Sequence, residues 1–222
     1  MFHMFMQEVC LISSLKCIII ALGGEIMILT TKMLLDQYRH YANPKSKIKR
    51  LAREGKVTPI VRGLYETDPD APGHYLAGSI YGPSYLSFEF ALSRHGLIPE
   101  AVYGYTCATF DKRRGKRYIT PFGIYIYRDV PKAAYPFGID LLMENGYSFQ
   151  LASPEKALCD QLYGLPPLGS RRELERCLFE DLRIDEDGLA RLSKSDIASL
   201  AGLYGSTNVK LLDAWLQRRI GK

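Results

Sequence analysis

The chain of 222 residues holds 29 Lys and Arg against 24 Asp and Glu, with 47% hydrophobic and 24% charged residues. These fractions are those of an ordinary folded protein and argue against disordered, collagen-like and membrane-spanning classes, while the length suits one or two domains. The net charge of +5 is concentrated: residues 27–66 hold nine Lys and Arg against Asp36, Glu54 and Glu66, and beyond residue 66 the two signs cancel.

Residues 1–26 contain the apolar run CLISSLKCIIIALGG, interrupted by Lys16 and shorter than the about 20 apolar residues that a spanning helix needs. The preceding MFHMFMQE has no Lys or Arg to open a signal peptide. Gly23-Gly24-Glu25 is what a purine-rich ribosome-binding site would encode in this frame, and Met27 follows soon after. The expectation is that the chain naturally starts at Met27 and that residues 1–26 are an N-terminal extension; the alternative is an extra helix there.

Thr30 or Thr31 can cap a helix running through about Tyr41, with Met33, Leu34, Tyr38 and Tyr41 at helical spacing. Asn43 is a favoured N-cap and Pro44 suits the first helical position, so residues 44–54 form a second helix stopped by Gly55. KVTPIV and GLYE alternate as two short strands, with Arg62-Gly63 at the tight connection. Helix, helix, strand, turn, strand is the order of a small winged helix-turn-helix over residues 27–67. A third helix usually joins such a unit, and only residues 1–26 could supply it.

On the second helix, Ile48, Leu51 and Ala52 form a core-facing stripe within roughly 100° of arc. Ser46, Lys49, Arg50 and Arg53 lie opposite, with Lys45 and Lys47 on the flanks near the helix start. Any amphipathic helix has a charged outer face, but such faces usually mix signs. This one carries five cations against Glu54 alone, and concentrating like charge is repulsive unless an anion is bound. Lys49 and Arg50 suit guanine edges in a major groove, while Lys45, Lys47 and the first-turn N–H groups suit phosphate. Arg62 in the wing is placed for an adjacent phosphate or the minor groove.

TDPDAPG, residues 67–73, is a turn-rich break, so residues 74–222 form a second domain. There PSYLSFEFALSRHG reads as a helix from about Pro83 to His95, and VYGYTCATF and RYITPFGIYIYRDV read as strands joined by DKRRGK. SPEKALCDQLYG is a helix capped by Ser153, with Ala157, Leu158 and Leu162 on its inner face. The remainder is helical: roughly residues 171–182, 185–193, 195–204 and 208–220. The fold class is α+β, a small antiparallel sheet with helices gathered around it. Lys112, Arg113, Arg114, Lys116 and Arg117 form a second basic cluster on the hairpin, either solubilising or binding.

Catalytic patterns are absent: no phosphate-cradling loop, no nucleophile elbow and no paired metal spacing. His95 in a last helical turn and Glu155 in a first turn are explained by the helix dipole. The five cysteines have no short spacing, which argues against zinc or a disulfide framework and for a reduced, cytosolic setting. No metal or cofactor is expected. Two alternatives to DNA binding stay open: a protein-interaction module whose basic helix meets an acidic surface, and a DNA-acting nuclease using carboxylates such as Asp68, Asp70 and Glu54.

Four stretches carry a family resemblance: NPKSKIKRLAREGKVTPIVRGLYET, YLAGSIYGPSYLSFEFALSRHGLIPEAVYGYTCAT, TPFGIYIYRDVP and ASPEKALCDQLY. From about Met27 to near the C-terminus the sequence resembles the AbiEi-type antitoxins of bacterial abortive-infection toxin–antitoxin systems. The resemblance implies a winged-helix repressor of its own operon that neutralises a nucleotidyltransferase-like toxin in phage defence. It places DNA contact on Lys45, Ser46, Lys47, Lys49, Arg50 and Arg53, with Arg62 in the wing, and antitoxin action in the second domain. Tyr85, Leu86, Phe88 and Phe90 read as core. Pairing on two operator half-sites, as a dimer on DNA, is the corresponding expectation.

Overall fold

The fold is taken from a computed structural model, which describes residues 27–218; the expectations for residues 1–26 lie outside the described residues. The class is α+β, with two sheets.

The N-terminal sheet is three-stranded in the order β1-β3-β2, formed by β1 (Ile28–Thr30), β2 (Thr58–Val61) and β3 (Leu64–Glu66), all antiparallel. Helix α1 (Thr31–Gln37) follows β1 directly. The Thr30 side chain accepts from the Met33 N–H at 3.2 Å, satisfying one of the helix's orphan donors. The helix stops four residues short of Tyr41, and Tyr38 and the exposed Tyr41 pair edge-to-face at 5.8 Å in the turn that follows. Helix α2 (Pro44–Arg53) starts where Asn43 and Pro44 predict, with the Asn43 carboxamide accepting from Ser46 N–H at 3.0 Å. Gly55 then takes a φ of +69°, which ends the helix without a Cβ penalty. β1 was not legible: three residues before a helix carry too little pattern, and their pairing with β3 is tertiary.

The large sheet has the order β6-β7-β5-β4-β9-β8. Its strands are β4 (Tyr85–Leu86), β5 (Gly104–Thr109), β6 (Lys116–Thr120), β7 (Gly123–Asp129), β8 (Ile139–Glu144) and β9 (Tyr147–Ala152). This corrects the small antiparallel sheet in two ways. β5 pairs in parallel with β7, and β4 in parallel with β9, so the sheet is mixed. β6 pairs with β7, not with β5, so the basic loop is a crossover between non-adjacent strands and not a hairpin tip. Tyr85 and Leu86, expected in a helix, form the short central strand because both are wholly enclosed between β5 and β9. The helix shrinks to α4 (Phe88–Arg94), after a 3-10 turn (Gly73–Leu76) and α3 (Ala77–Ile80).

Helices α5 (Pro154–Tyr163), α6 (Arg171–Arg176), α7 (Glu186–Ala190), α8 (Lys194–Tyr204) and α9 (Thr207–Arg218) cover the sheet, with a π-helical turn at Cys177–Asp181. Cys107, Cys159 and Cys177 are free and buried. Ile60 and Leu64 of the small sheet belong to the same apolar core as the large sheet, whereas Leu29, Leu34 and Ile48 make a separate cluster under α1 and α2. The junction is anchored as well: the fully buried Glu66 accepts from the N–H groups of Thr67 (2.8 Å) and Asp68 (3.1 Å).

The 3-10 turn docks through His74, whose ring sits against Phe149 at 5.0 Å and reaches Glu144 at 3.5 Å. Burial lowers its pKa, outweighing the Glu144 hydrogen bond, which raises it. A histidine depressed below its unfolded value leaves stability untouched above about pH 6.5 and removes stability as the pH falls below that, because the unfolded chain then binds more protons. Urea midpoints measured between pH 7.5 and 5 fall accordingly, and His74→Gln flattens part of that slope.

Candidate nucleic-acid interface

Helix α2 buries Ile48 and Leu51 and turns the other side outward. Lys45, Ser46, Lys49, Arg50 and Arg53 are all exposed, as is Arg62 at the tip between β2 and β3. The stripe read from the periodicity is the one that packs, so the cations are held outward by the anchoring of the opposite face. Arg50 ion-pairs with Glu54 at 3.6 Å, which Lys56 also approaches at 3.3 Å. Both pairs are solvated and worth well under 1 kcal/mol, so neither ties Arg50 down.

Lys47 differs from its neighbours. It is half-buried, and its ammonium lies 5.0 Å from the centre of the Tyr41 ring and 5.6 Å from that of Tyr38. These rings hold the turn between α1 and α2 against the first turn of α2, so Lys47 links the two helices while keeping its charge beside the helix N-terminus.

The tip that carries Arg62 is tied to α1 through the backbone. Gly63 has a φ of +90°, open only to glycine at low cost, and its carbonyl accepts from the Thr31 N–H at 2.8 Å. The turn between β2 and β3 is thereby bonded to the first residue of α1. Strand β2 also runs close to β6.

The second cluster is organised by an acid that the sequence did not single out. Asp129, at the end of β7, accepts from the N–H groups of Lys112 and Arg113, both at 2.8 Å, and from the Thr109 hydroxyl at 2.6 Å. Asp111 and Arg113 adopt positive φ, 54° and 63°, in the loop so formed. Lys112 is turned inward, its ammonium donating to the Gly82 carbonyl at 3.1 Å and lying 5.1 Å from the Tyr81 ring centre. Arg113, Arg114, Lys116 and Arg117 remain exposed. The five residues therefore divide: one is structural, and four offer charge, two of them on edge strand β6.

A third polar group lies deep inside and was missed. Lys156 and Asp160, four apart on α5, are both fully buried and 3.4 Å apart. The Lys156 ammonium donates to the Ala134 carbonyl (2.8 Å) and the Tyr204 hydroxyl (2.6 Å). Asp160 accepts from Ser87 (2.6 Å), Tyr85 (3.0 Å) and Tyr204. Burial pushes the lysine pKa down and the carboxyl pKa up, and each partner opposes the shift of the other. Glu155 is also more than a dipole partner: it accepts from the Ser193 N–H at 2.9 Å and so docks the start of α8. The available signal was the helix itself, since a segment apolar on both sides of a Lys/Asp pair is buried all round.

The carboxylates considered for a nuclease are occupied or apart: Asp68 accepts from Asp70 N–H at 2.9 Å, and Glu54 pairs with Arg50. Among the described residues no three His, Cys, Asp or Glu side chains are grouped so as to hold a metal ion, and no helix is long and apolar enough to cross a membrane. His95 Nε2–H donates to the Ala152 carbonyl, 2.8 Å away, just past the end of α4.

No protein-family model and no curated protein matches the chain. Among solved structures it is similar to the crystal structure of the RV2827C protein from Mycobacterium tuberculosis. The two are 16% identical with a TM-score of 0.45, over 85% of this chain and 76% of that one.

Proposed function

We propose that this chain is an operator-binding repressor and antitoxin of the AbiEi type, acting in the cytoplasm on double-stranded DNA and against a nucleotidyltransferase-like toxin. The observation that carries the DNA reading is the segregation on α2: five exposed positions of one sign or neutral opposite a buried Ile48 and Leu51. In this reading α1 and α2 are the helix-turn-helix, α2 enters the major groove, and the β2–β3 turn is the wing. Lys49 and Arg50 read bases, Lys45, Ser46, Lys47 and Arg53 hold phosphates, and Arg62 meets the next phosphate or the minor groove. β1 adds a third strand beside β3 in the same sheet. The antitoxin role rests on the family resemblance alone and belongs to the larger sheet and its helices.

Binding to the DNA upstream of its own gene tests the first part. With six to eight phosphates neutralised, log K falls against log salt with a slope of about −5 to −7, and unrelated DNA of equal length competes poorly. A shallow slope, or equal affinity for unrelated DNA, leaves the basic helix as a protein-docking surface instead. Co-expression with the toxin encoded beside it tests the second part: growth is restored by the full chain, and failure to restore it removes the antitoxin assignment.

A further inference from the structure

The two edges of the large sheet are built differently. β6 lines its edge with exposed Lys116 and Arg117, charges of the kind that deter another strand from pairing. β8 has no Lys, Arg or Pro, and its register against β9 runs without a bulge from Ile139↔Ala152 to Glu144↔Tyr147. Two of its large apolar side chains stand in solvent, Leu141 at 64% and Met143 at 74% exposure. The residues opposite them on β9 are Gln150 and Ser148, which bring no charge.

The phase of the ladder decides which backbone groups are unpaired. Asn145 and Gly146 close the β8–β9 hairpin with φ of 48° and 78°, a two-residue turn that makes Glu144↔Tyr147 a hydrogen-bonded pair. The other end agrees, since Ser153 N–H donates to the Gly138 carbonyl at 2.8 Å. The even-numbered residues therefore bond to β9, and Ile139, Leu141 and Met143 aim their N–H and C=O groups at an edge that is unpaired among the described residues.

We propose that β8 pairs antiparallel with β8 of a second copy of this chain, across a two-fold axis centred on Leu141. In that register Leu141 faces Leu141 of the second copy and Ile139 faces its Met143, and each facing pair exchanges both backbone hydrogen bonds. Sliding the register by two residues either way sets Asp140 directly opposite Glu144 or opposite Asp140 of the other copy, and like charges in facing positions are destabilising. A six-residue edge is only about 20 Å long, far less than the about 800 Å² per partner of a stable complex requires. The contact is therefore weak in free solution and forms when two copies are held together, as on adjacent half-sites. That last step rests on the proposed DNA binding.

Cysteine cross-linking of the full chain, with Cys10 and Cys17 changed to Ser, tests the register. Facing hydrogen-bonded residues sit about 5.5 Å apart at Cα, inside the about 4.4–6.8 Å that a disulfide spans. Leu141→Cys is expected to form covalent dimers about tenfold faster than Met143→Cys, whose two copies lie beyond disulfide reach. The experiment is run on DNA carrying paired upstream sites and, without DNA, at high chain concentration. DNA binding without Leu141→Cys dimers overturns the inference alone. Equal cross-linking by Met143→Cys overturns it too, and points to another occupant or to chance collision. Dimers at high concentration with no DNA binding uphold the β8 contact while removing the DNA reading.

Discussion

Replacing Asp160 with alanine lowers stability by about 3–5 kcal/mol, the usual cost of removing one partner from a buried ion pair. At about 2–4 °C per kcal/mol for a chain of this size, the melting temperature falls by about 6–20 °C. The structural reason is that Asp160 accepts from three hydroxyls and ion-pairs with one ammonium, all of them buried. Its loss strands Ser87 on the turn into α4, Tyr85 on the central strand and Tyr204 at the end of α8, together with Lys156. Gly138 packs against the stem of this lysine, since a Cβ there would meet Lys156 Cβ at 2.9 Å. Lys156→Met costs less, since the remaining carboxyl keeps its three hydroxyl donors and burial already favours its neutral form. The double variant Lys156→Met, Asp160→Ala is therefore less destabilised than the two single effects added, by about 0.5–3 kcal/mol. Thermal melts of the four proteins check this. Additive effects, or a loss below about 1 kcal/mol for Asp160→Ala, mean that water enters the site and satisfies these groups.

The same residues show what could be read from the sequence. Asn43, Pro44 and Gly55 are local signals: each acts on its own helix end, so α2 was legible to within a residue. The stripe of Ile48 and Leu51 was legible because the 3.6-residue period needs no tertiary information. Tyr85 and Leu86 failed on the same logic. Two buried aromatic or aliphatic residues fit a helix or a strand equally well, and only the insertion of β4 between β5 and β9 decides. The pairing of β5 with β7 in place of β6 is likewise non-local, and with it went the hairpin expected for the second basic cluster. Within that cluster Lys112 and its neighbours share one composition, yet the Gly82 carbonyl and the Tyr81 ring draw the Lys112 ammonium inward while Arg113 stays exposed. The exposed cations of α2 were legible as a face; the role of Lys47 was not, because its tyrosine partners come from the turn before the helix.

Changing Lys49 and Arg50 together to alanine separates recognition from mere charge. Neither residue contributes to the core, and the solvated Arg50–Glu54 pair stabilises little, so the double variant melts within about 0.5 kcal/mol of the parent. Its affinity for the upstream DNA falls by about 2–6 kcal/mol if each side chain makes one base contact, the range for two good contacts at about 1–3 kcal/mol each. Unrelated DNA is bound only slightly less well, since Lys45, Lys47 and Arg53, the residues proposed to hold phosphate, remain. The ratio of the two affinities is the diagnostic quantity. A phosphate role for Lys49 and Arg50 would weaken both DNAs alike and make the salt slope about two units shallower. A collapsed ratio with a nearly unchanged slope assigns base reading to this face of α2. An unchanged affinity for both DNAs shows that α2 does not enter the groove, and moves the proposed interface to Arg113, Arg114, Lys116 and Arg117, the exposed cations of the second basic cluster.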